Sequence, residues 1–197
     1  MNNYKIVFMG TPDFGIPSLN ELYKQGYEVE AVYTQPDRVN KRGNKVQFSA
    51  VKQFALEHDI TIYQPNSLKD EKELDVLRAL NPDLIIVIAY GKILPQAVLD
   101  IPKYGVINVH ASLLPKYRGA APVQRSIIDG EETTGVTIMQ LDAGMDTGNI
   151  IAEKSVFITP HMTSEDLFDV LSNVGAKLLI DVLDDLPAKL AASVKQD

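Results

Sequence analysis

No cysteine occurs anywhere in this chain, which excludes disulfides, thiolate nucleophiles and cysteine metal sites. Histidine is scarce as well: His58, His110 and His161 are scattered and form no H-x-x-x-H pair, so a metal centre is not expected. Positive charge is in deficit, with 19 lysines and arginines against 26 acids and a net charge of −7. That balance disfavours a generic nucleic-acid binder and a DNA partner, because neutralising phosphates needs basic residues gathered on a surface. Any RNA contact has to come from a local patch. No run stays apolar for the roughly 20 residues that a membrane helix needs. The start, Met1-Asn2-Asn3-Tyr4-Lys5, lacks the basic, apolar and small-residue segments of a signal peptide. A soluble, cytoplasmic protein without a membrane partner is expected.

What is present points to one well-buried core. The 197 residues are 45% hydrophobic and 23% charged, an ordinary globular mix. Apolar runs recur over 5–10, 28–34, 83–89 and 105–110, with amphipathic stretches between them. Leu84 to Ala89 has no polar alternation, as in a central strand buried on both faces. Apolar spacing predicts helices through Leu19, Leu22 and Tyr23; through Val51, Phe54 and Ala55 after a cap at Ser49; and through Leu74 and Leu77 before Asn81-Pro82. A longer helix is predicted from the Thr163-Ser164-Glu165-Asp166 cap through Leu167, Leu171 and Leu178. Two more strand-like runs, 134–141 and 149–158, enclose a loop rich in glycine and aspartate. The expected class is α/β, a mostly parallel twisted sheet with flanking helices. One domain is expected over 1–187, with a polar tail over 188–197.

In open α/β sheets, ligands bind beyond the carboxyl ends of the strands. Gly105-Val106-Ile107-Asn108-Val109-His110 ends there, and strand alternation puts Asn108 and His110 on one face. An amide donor then lies beside an imidazole. By itself a lone histidine more often caps a strand and bonds a carbonyl than acts in a site. Asp146, the last acid of the glycine-rich loop, could supply a carboxylate that fixes the imidazole tautomer, or could simply form an Asx-turn before Thr147-Gly148. Two familiar phosphate motifs are absent. Gly10-Thr11-Pro12-Asp13-Phe14-Gly15 continues with Ile16-Pro17 where a P-loop needs Lys-Ser/Thr, and it contains no G-x-G-x-x-G, so NAD is not expected.

The segment Asp37-Arg38-Val39-Asn40-Lys41-Arg42-Gly43-Asn44-Lys45 holds four positive charges against one negative in an otherwise acidic chain. A solvated basic loop and a phosphate-binding loop are both consistent with it.

The stretch Ile107-Asn108-Val109-His110-Ala111-Ser112-Leu113-Leu114-Pro115-Lys116-Tyr117-Arg118-Gly119-Ala120-Ala121-Pro122 resembles the signature of the folate-dependent formyltransferases. Residues 118–125, with Gly135-Val136-Thr137-Ile138-Met139-Gln140 and the opening Met9-Gly10-Thr11-Pro12-Asp13-Phe14, are similar to the branch of that family acting on methionyl-tRNA. The likeness runs over nearly the whole chain. It implies a Rossmann-like formyltransferase fold, 10-formyltetrahydrofolate as co-substrate and methionyl initiator tRNA as acceptor. It implies that Asn108, His110 and Asp146 are catalytic, that Ser112, Leu113, Leu114 and Pro115 contact the tetrahydrofolate, and that the pterin lies near Tyr90-Gly91 and the 142–146 loop. Formyl transfer to a neutral amine needs a proton handler and a donor aimed at the developing oxyanion, which such a trio supplies.

The resemblance also assigns the basic loop to the tRNA acceptor stem, through Arg38, Lys41, Arg42 and Lys45, with Arg42 the foremost contact. Such a loop is expected to be flexible when free and to order on RNA. Full-length members carry a second, C-terminal domain, a small β-barrel resembling an OB-fold that also grips tRNA. The chain stops before it, so a truncated catalytic domain with weakened tRNA affinity is expected. Sibling enzymes acting on an amino sugar nucleotide or glycinamide ribonucleotide would share the trio and the cleft, but the basic loop and Arg118-Gly119-Ala120-Ala121-Pro122 argue against both. A silent fold that binds folate or RNA as a regulator is the remaining reading, opposed by the intact trio.

Overall fold

The computed structural model describes residues 3–40 and 43–197. The first half alternates strand and helix: β1 (Lys5–Gly10), a 3-10 turn (Asp13–Gly15), α1 (Ile16–Lys24), β2 (Glu28–Tyr33), α2 (Ala50–Glu57), β5 (Thr61–Tyr63), α3 (Glu71–Leu80) and β6 (Leu84–Ile88). A small hairpin, β3 (Arg38–Val39) with β4 (Val46–Gln47), is inserted after β2 and pairs only with itself. Then follow α4 (Gln96–Leu99), β7 (Val106–His110), α5 (Pro122–Ile128), β8 (Thr133–Gln140), β9 (Ile150–Phe157), α6 (Ser164–Asp184) and α7 (Leu186–Ala191).

Seven strands form one sheet in the order β5-β2-β1-β6-β7-β8-β9. The pairings from β5 through β7 are parallel, and β8 and β9 extend the sheet antiparallel. The predicted mostly parallel sheet with flanking helices is what forms. Strand alternation divides the core in two. Ile6, Phe8, Leu84, Ile86, Ile107 and Val109 face a cluster built with Leu19, Leu22, Phe54, Leu167, Leu171 and Leu179 from α1, α2 and α6. Val7, Met9, Ile85, Val87 and Val106 face the opposite layer, with Leu74 and Leu77 of α3 and Val98 and Leu99 of α4. Every residue of β6 is buried, as its unbroken apolar run requires.

The helix starts follow the predicted caps. The Ser49 hydroxyl accepts from the Lys52 amide. Thr163 and Asp166 form a reciprocal capping box that opens α6. Asn81 closes α3 in the left-handed region, where asparagine is tolerated.

The segment expected as a polar tail from 188 is structured instead. Helix α7 crosses that boundary, Val194 bridges to Ile150, and Gln196 is buried. Its amide finds long-range partners that local polarity does not reveal.

Candidate active site

Between β1 and β6 the chain winds in opposite senses: β2 and β5 lie to one side, β7 to the other. Ligand clefts form beyond the carboxyl ends of strands at such a switch point. A cleft of ≈ 900 Å³ opens there, within the range of small-molecule sites. Pro12 and Phe14 line it after β1, residues 89–94 after β6, Asn108 to Ala111 at the end of β7, residues 119–124 around the start of α5, and residues 141–146 after β8.

The backbone around this cleft is unusual. Ala89, Ala121 and Asp146 line it with positive φ, and Tyr117, at φ 60°, lies next to it in the chain segment that carries the motif. Non-glycine residues hold that conformation only where surrounding contacts over-determine it, and functional sites collect them. Gly148 closes the 142–148 loop. A Cβ there would overlap the Gln140 carbonyl, so the tight return past β8 requires glycine.

Asn108, His110 and Asp146 are brought together. Asn108 Nδ2 donates to the Val87 carbonyl on the neighbouring strand at 3.1 Å. A carbonyl only accepts, so the amide orientation is defined. Asn108 Oδ1 is enclosed and has no partner, while one amide hydrogen is left over. His110 is buried, and its Nε2 lies 2.9 Å from the Tyr117 carbonyl. Nε2 must therefore carry the proton there, leaving Nδ1 as the nitrogen that faces Asp146. Asp146 Oδ2 is 3.7 Å from Nδ1, within ion-pair range but beyond a hydrogen bond. The same oxygen accepts from the Gly119 amide at 2.7 Å. Thus the tautomer is set by the Tyr117 carbonyl and not, as expected, by Asp146.

Tyr90 and Gly91 line the cleft. The Tyr90 hydroxyl is buried without a partner, and burial, then the Glu73 charge, push its pKa up to about 12. The Tyr90 and Gly91 carbonyls both accept from Gln35 Nε2, at 3.2 and 3.0 Å. Lys92 is the cation among the lining residues, and its Nζ donates to the Asn66 carbonyl at 2.5 Å.

Ser112, Leu113, Leu114 and Pro115 do not line the cleft. Ser112 is fully buried and donates to the Lys116 carbonyl at 2.6 Å. Leu113 packs over Gly135, and the Leu114 amide donates to Thr137 Oγ1 at 3.0 Å. These contacts hold the turn that leads to Tyr117. The Tyr117 hydroxyl shares its single hydrogen between Asp129 and Glu131, at 2.8 and 3.0 Å. Burial first, then those carboxylates, raise its pKa well above the ordinary phenol value.

The described part of the basic segment contributes to the β3–β4 pair, where the Asn40 amide donates to the Lys45 carbonyl. Arg38 and Lys45 are exposed on it and lie outside the cleft lining. Lys41 and Arg42 lie outside the described residues. Exposed Val39, Val46 and Phe48 accompany the charges. At its base, the Lys52 ammonium and then Gln64 donate to Asp37 and hold its pKa below the ordinary aspartate value.

Sequence reasoning missed the Tyr117 carbonyl, the Gly119 amide and Gln196. Two are backbone groups with no side-chain signal, and Gln196 is 50 residues from the carbonyl it binds.

Three comparisons bear on this site. The formyl transferase family model matches residues 4–183. The chain is 56% identical over 177 residues to a methionyl-tRNA formyltransferase of Clostridium perfringens, covering 89% of this chain and 57% of that protein. It thus spans little more than half the length of that relative. Among solved structures, it superposes on phosphoribosylglycinamide formyltransferase from Streptococcus pneumoniae with a TM-score of 0.76 at 20% identity, over 93% of this chain and 98% of the other. It also matches an N-formyltransferase from Helicobacter canadensis, solved with folinic acid and dTDP-3-aminofucose, with a TM-score of 0.73 at 22% identity, over 98% and 68% of the two chains. At these identities the structural likeness concerns the fold.

Proposed function

The chain belongs to the formyl transferase family, and from that premise we propose that it is an enzyme moving the formyl group of 10-formyltetrahydrofolate to the amino group of methionyl initiator tRNA. The observation that carries this reading is the meeting of Asn108, His110 and Asp146 in one cleft beyond the strand ends, with His110 Nδ1 left free by the Tyr117 carbonyl. The cleft volume and its apolar rim, with Ile93 and Met145 exposed on it, suit a flat, extended folate. Lys92 offers a counter-charge to its carboxylates.

In the reaction, the neutral amine attacks the formyl carbon, a C–N bond forms, the bond to the folate nitrogen breaks, and a proton passes from the amine to that nitrogen. Asn108 donates its remaining amide hydrogen to the oxygen that gains charge. His110 Nδ1 receives the amine proton, and the Asp146 carboxylate beside it stabilises the imidazolium. The identity of the C. perfringens relative supports methionyl-tRNA as acceptor over an amino sugar nucleotide or glycinamide ribonucleotide. Exposed Arg38 and Lys45 on the hairpin, with Lys41 and Arg42 beside them in sequence, support RNA phosphate contact. These substrates make the cytoplasm the place of action. Among the described residues no helix is long and apolar enough to cross a membrane.

The test is formation of formyl-methionyl-tRNA from 10-formyltetrahydrofolate and methionyl initiator tRNA, run beside His110→Ala and beside a small amine acceptor. Transfer to tRNA that is lost in His110→Ala is expected. Transfer to the small amine alone would move acceptor choice to a sibling substrate.

A further inference from the structure

Gln196 is buried, although it lies near the polar C-terminal end of the described chain. Its Nε2 donates to the Asp146 carbonyl at 3.0 Å and the Gly148 carbonyl at 2.7 Å. Its Oε1 accepts from Arg118 Nε at 3.1 Å and from a second guanidinium nitrogen, Nη2, at 2.8 Å. Both amide hydrogens and both lone pairs of the carbonyl are used.

These bonds close a ring. Arg118 precedes Gly119, whose amide binds the Asp146 carboxylate, and the Asp146 carbonyl returns to Gln196. Tyr117, one residue before Arg118, holds His110 through its carbonyl. One short segment, 117–119, therefore grips both His110 and Asp146, and Gln196 clamps that segment to the Asp146 loop. Asp146 needs such a clamp, because it is a non-glycine residue at φ 54° in an otherwise exposed loop.

We infer that Gln196 is a positioning residue that sets the Asp146 to His110 spacing for formyl transfer. The inference rests on the proposed function for its kinetic part, and on the ring alone for its structural part.

Gln196→Glu keeps the acceptor for Arg118 and removes both donors. Hydrogen exchange at the Gly119 amide, kcat, and KM for 10-formyltetrahydrofolate are measured in wild type and variant, each also in an Asp146→Asn background. Gly119 should exchange faster in the variant. kcat should fall by roughly 10- to 100-fold, the scale of a small misplacement in a catalytic group. KM should hold, and Asp146→Asn should suffer no further loss. Arg118→Lys, which loses the two-pronged hold on Oε1, should shift the same readouts in the same direction, and it decides the matter if Gln196→Glu does not fold. Unchanged Gly119 exchange and kcat, or an equal kcat loss in the Asp146→Asn background, would overturn the inference. A wild type that transfers no formyl group to any amine would overturn the functional reading instead, while Gly119 exchange still judges the clamp.

Discussion

The Asn108 amide is committed on one side and orphaned on the other. Nδ2 holds the Val87 carbonyl, while the enclosed Oδ1 has no partner. A buried acceptor left unmade costs about 1–3 kcal/mol, a penalty that a purely structural strand residue has no reason to carry. Asn108→Ala removes that orphan together with the donor proposed for the oxyanion. Turnover should fall by about two to three decades, while folate binding by calorimetry changes little and stability is nearly unaltered, since the lost bond to Val87 is set against the lost orphan. Turnover near wild type would end the oxyanion assignment. At this scale the sequence was informative about which side chains meet, because strand alternation alone pairs Asn108 with His110. It was silent on how His110 is oriented, because the Tyr117 carbonyl that orients it is a group every residue possesses. The 112–115 motif is legible as letters that mark a family, while its local bonds, Ser112 to the Lys116 carbonyl and the Leu114 amide to Thr137, carry no signal in the sequence.

Among elements, α6 shows how much a cap can say. Thr163 Oγ1 accepts from the Asp166 amide at 3.1 Å, and the Asp166 carboxylate accepts from the Thr163 amide and hydroxyl at 2.9 and 2.7 Å. The helix then lays Leu167, Leu171 and Leu179 on the sheet. Thr163→Ala should lower unfolding stability by about 1 kcal/mol, read from urea melts at neutral pH. The Thr163 hydroxyl, and next its amide, lower the Asp166 pKa below its ordinary 3.8. A depressed pKa means that the folded state favours the carboxylate. Its contribution is therefore complete above pH 3.8 and is lost as pH falls below that through the folded value. The difference between wild type and Thr163→Ala should accordingly narrow in melts taken below pH 3.8, and a constant gap would remove the carboxylate from the account. Elements of this kind were legible: α2 and α3 also carry their own caps and apolar spacing. The three residues of β5, the four of α4 and the two-residue strands of the hairpin are too short for any period to register. Helix α5 begins at Pro122 behind Ala121, which is left-handed and has no side chain able to cap it. The segment beyond 187 is held by Gln196 across the fold, a link without any local trace.

Over the whole molecule, charge and ligand site are set apart. The net charge is −7, and the cleft is lined mainly by apolar and backbone groups. Arg38 and Lys45 instead stand on an exposed hairpin outside the sheet. The hairpin base nonetheless connects to the cleft. Lys52 and Gln64 bind Asp37, Gln64 binds the Gln35 carbonyl, and Gln35 binds the Tyr90 and Gly91 carbonyls. An acidic chain repels RNA at long range, so the proposed tRNA contact has to come from the few cations exposed on the hairpin. Each such contact releases counterions and steepens the fall of affinity with salt. Arg38→Ala with Lys45→Ala should therefore weaken binding of methionyl initiator tRNA and flatten the plot of log affinity against log salt by about 1 to 2 units. Folate binding, which depends on the cleft, should be unchanged. A lower affinity with an unaltered slope would mean that the hairpin acts through shape and not phosphate, placing Val39, Val46 and Phe48 at the contact. An unaltered affinity and slope would take the described part of the hairpin out of acceptor recognition.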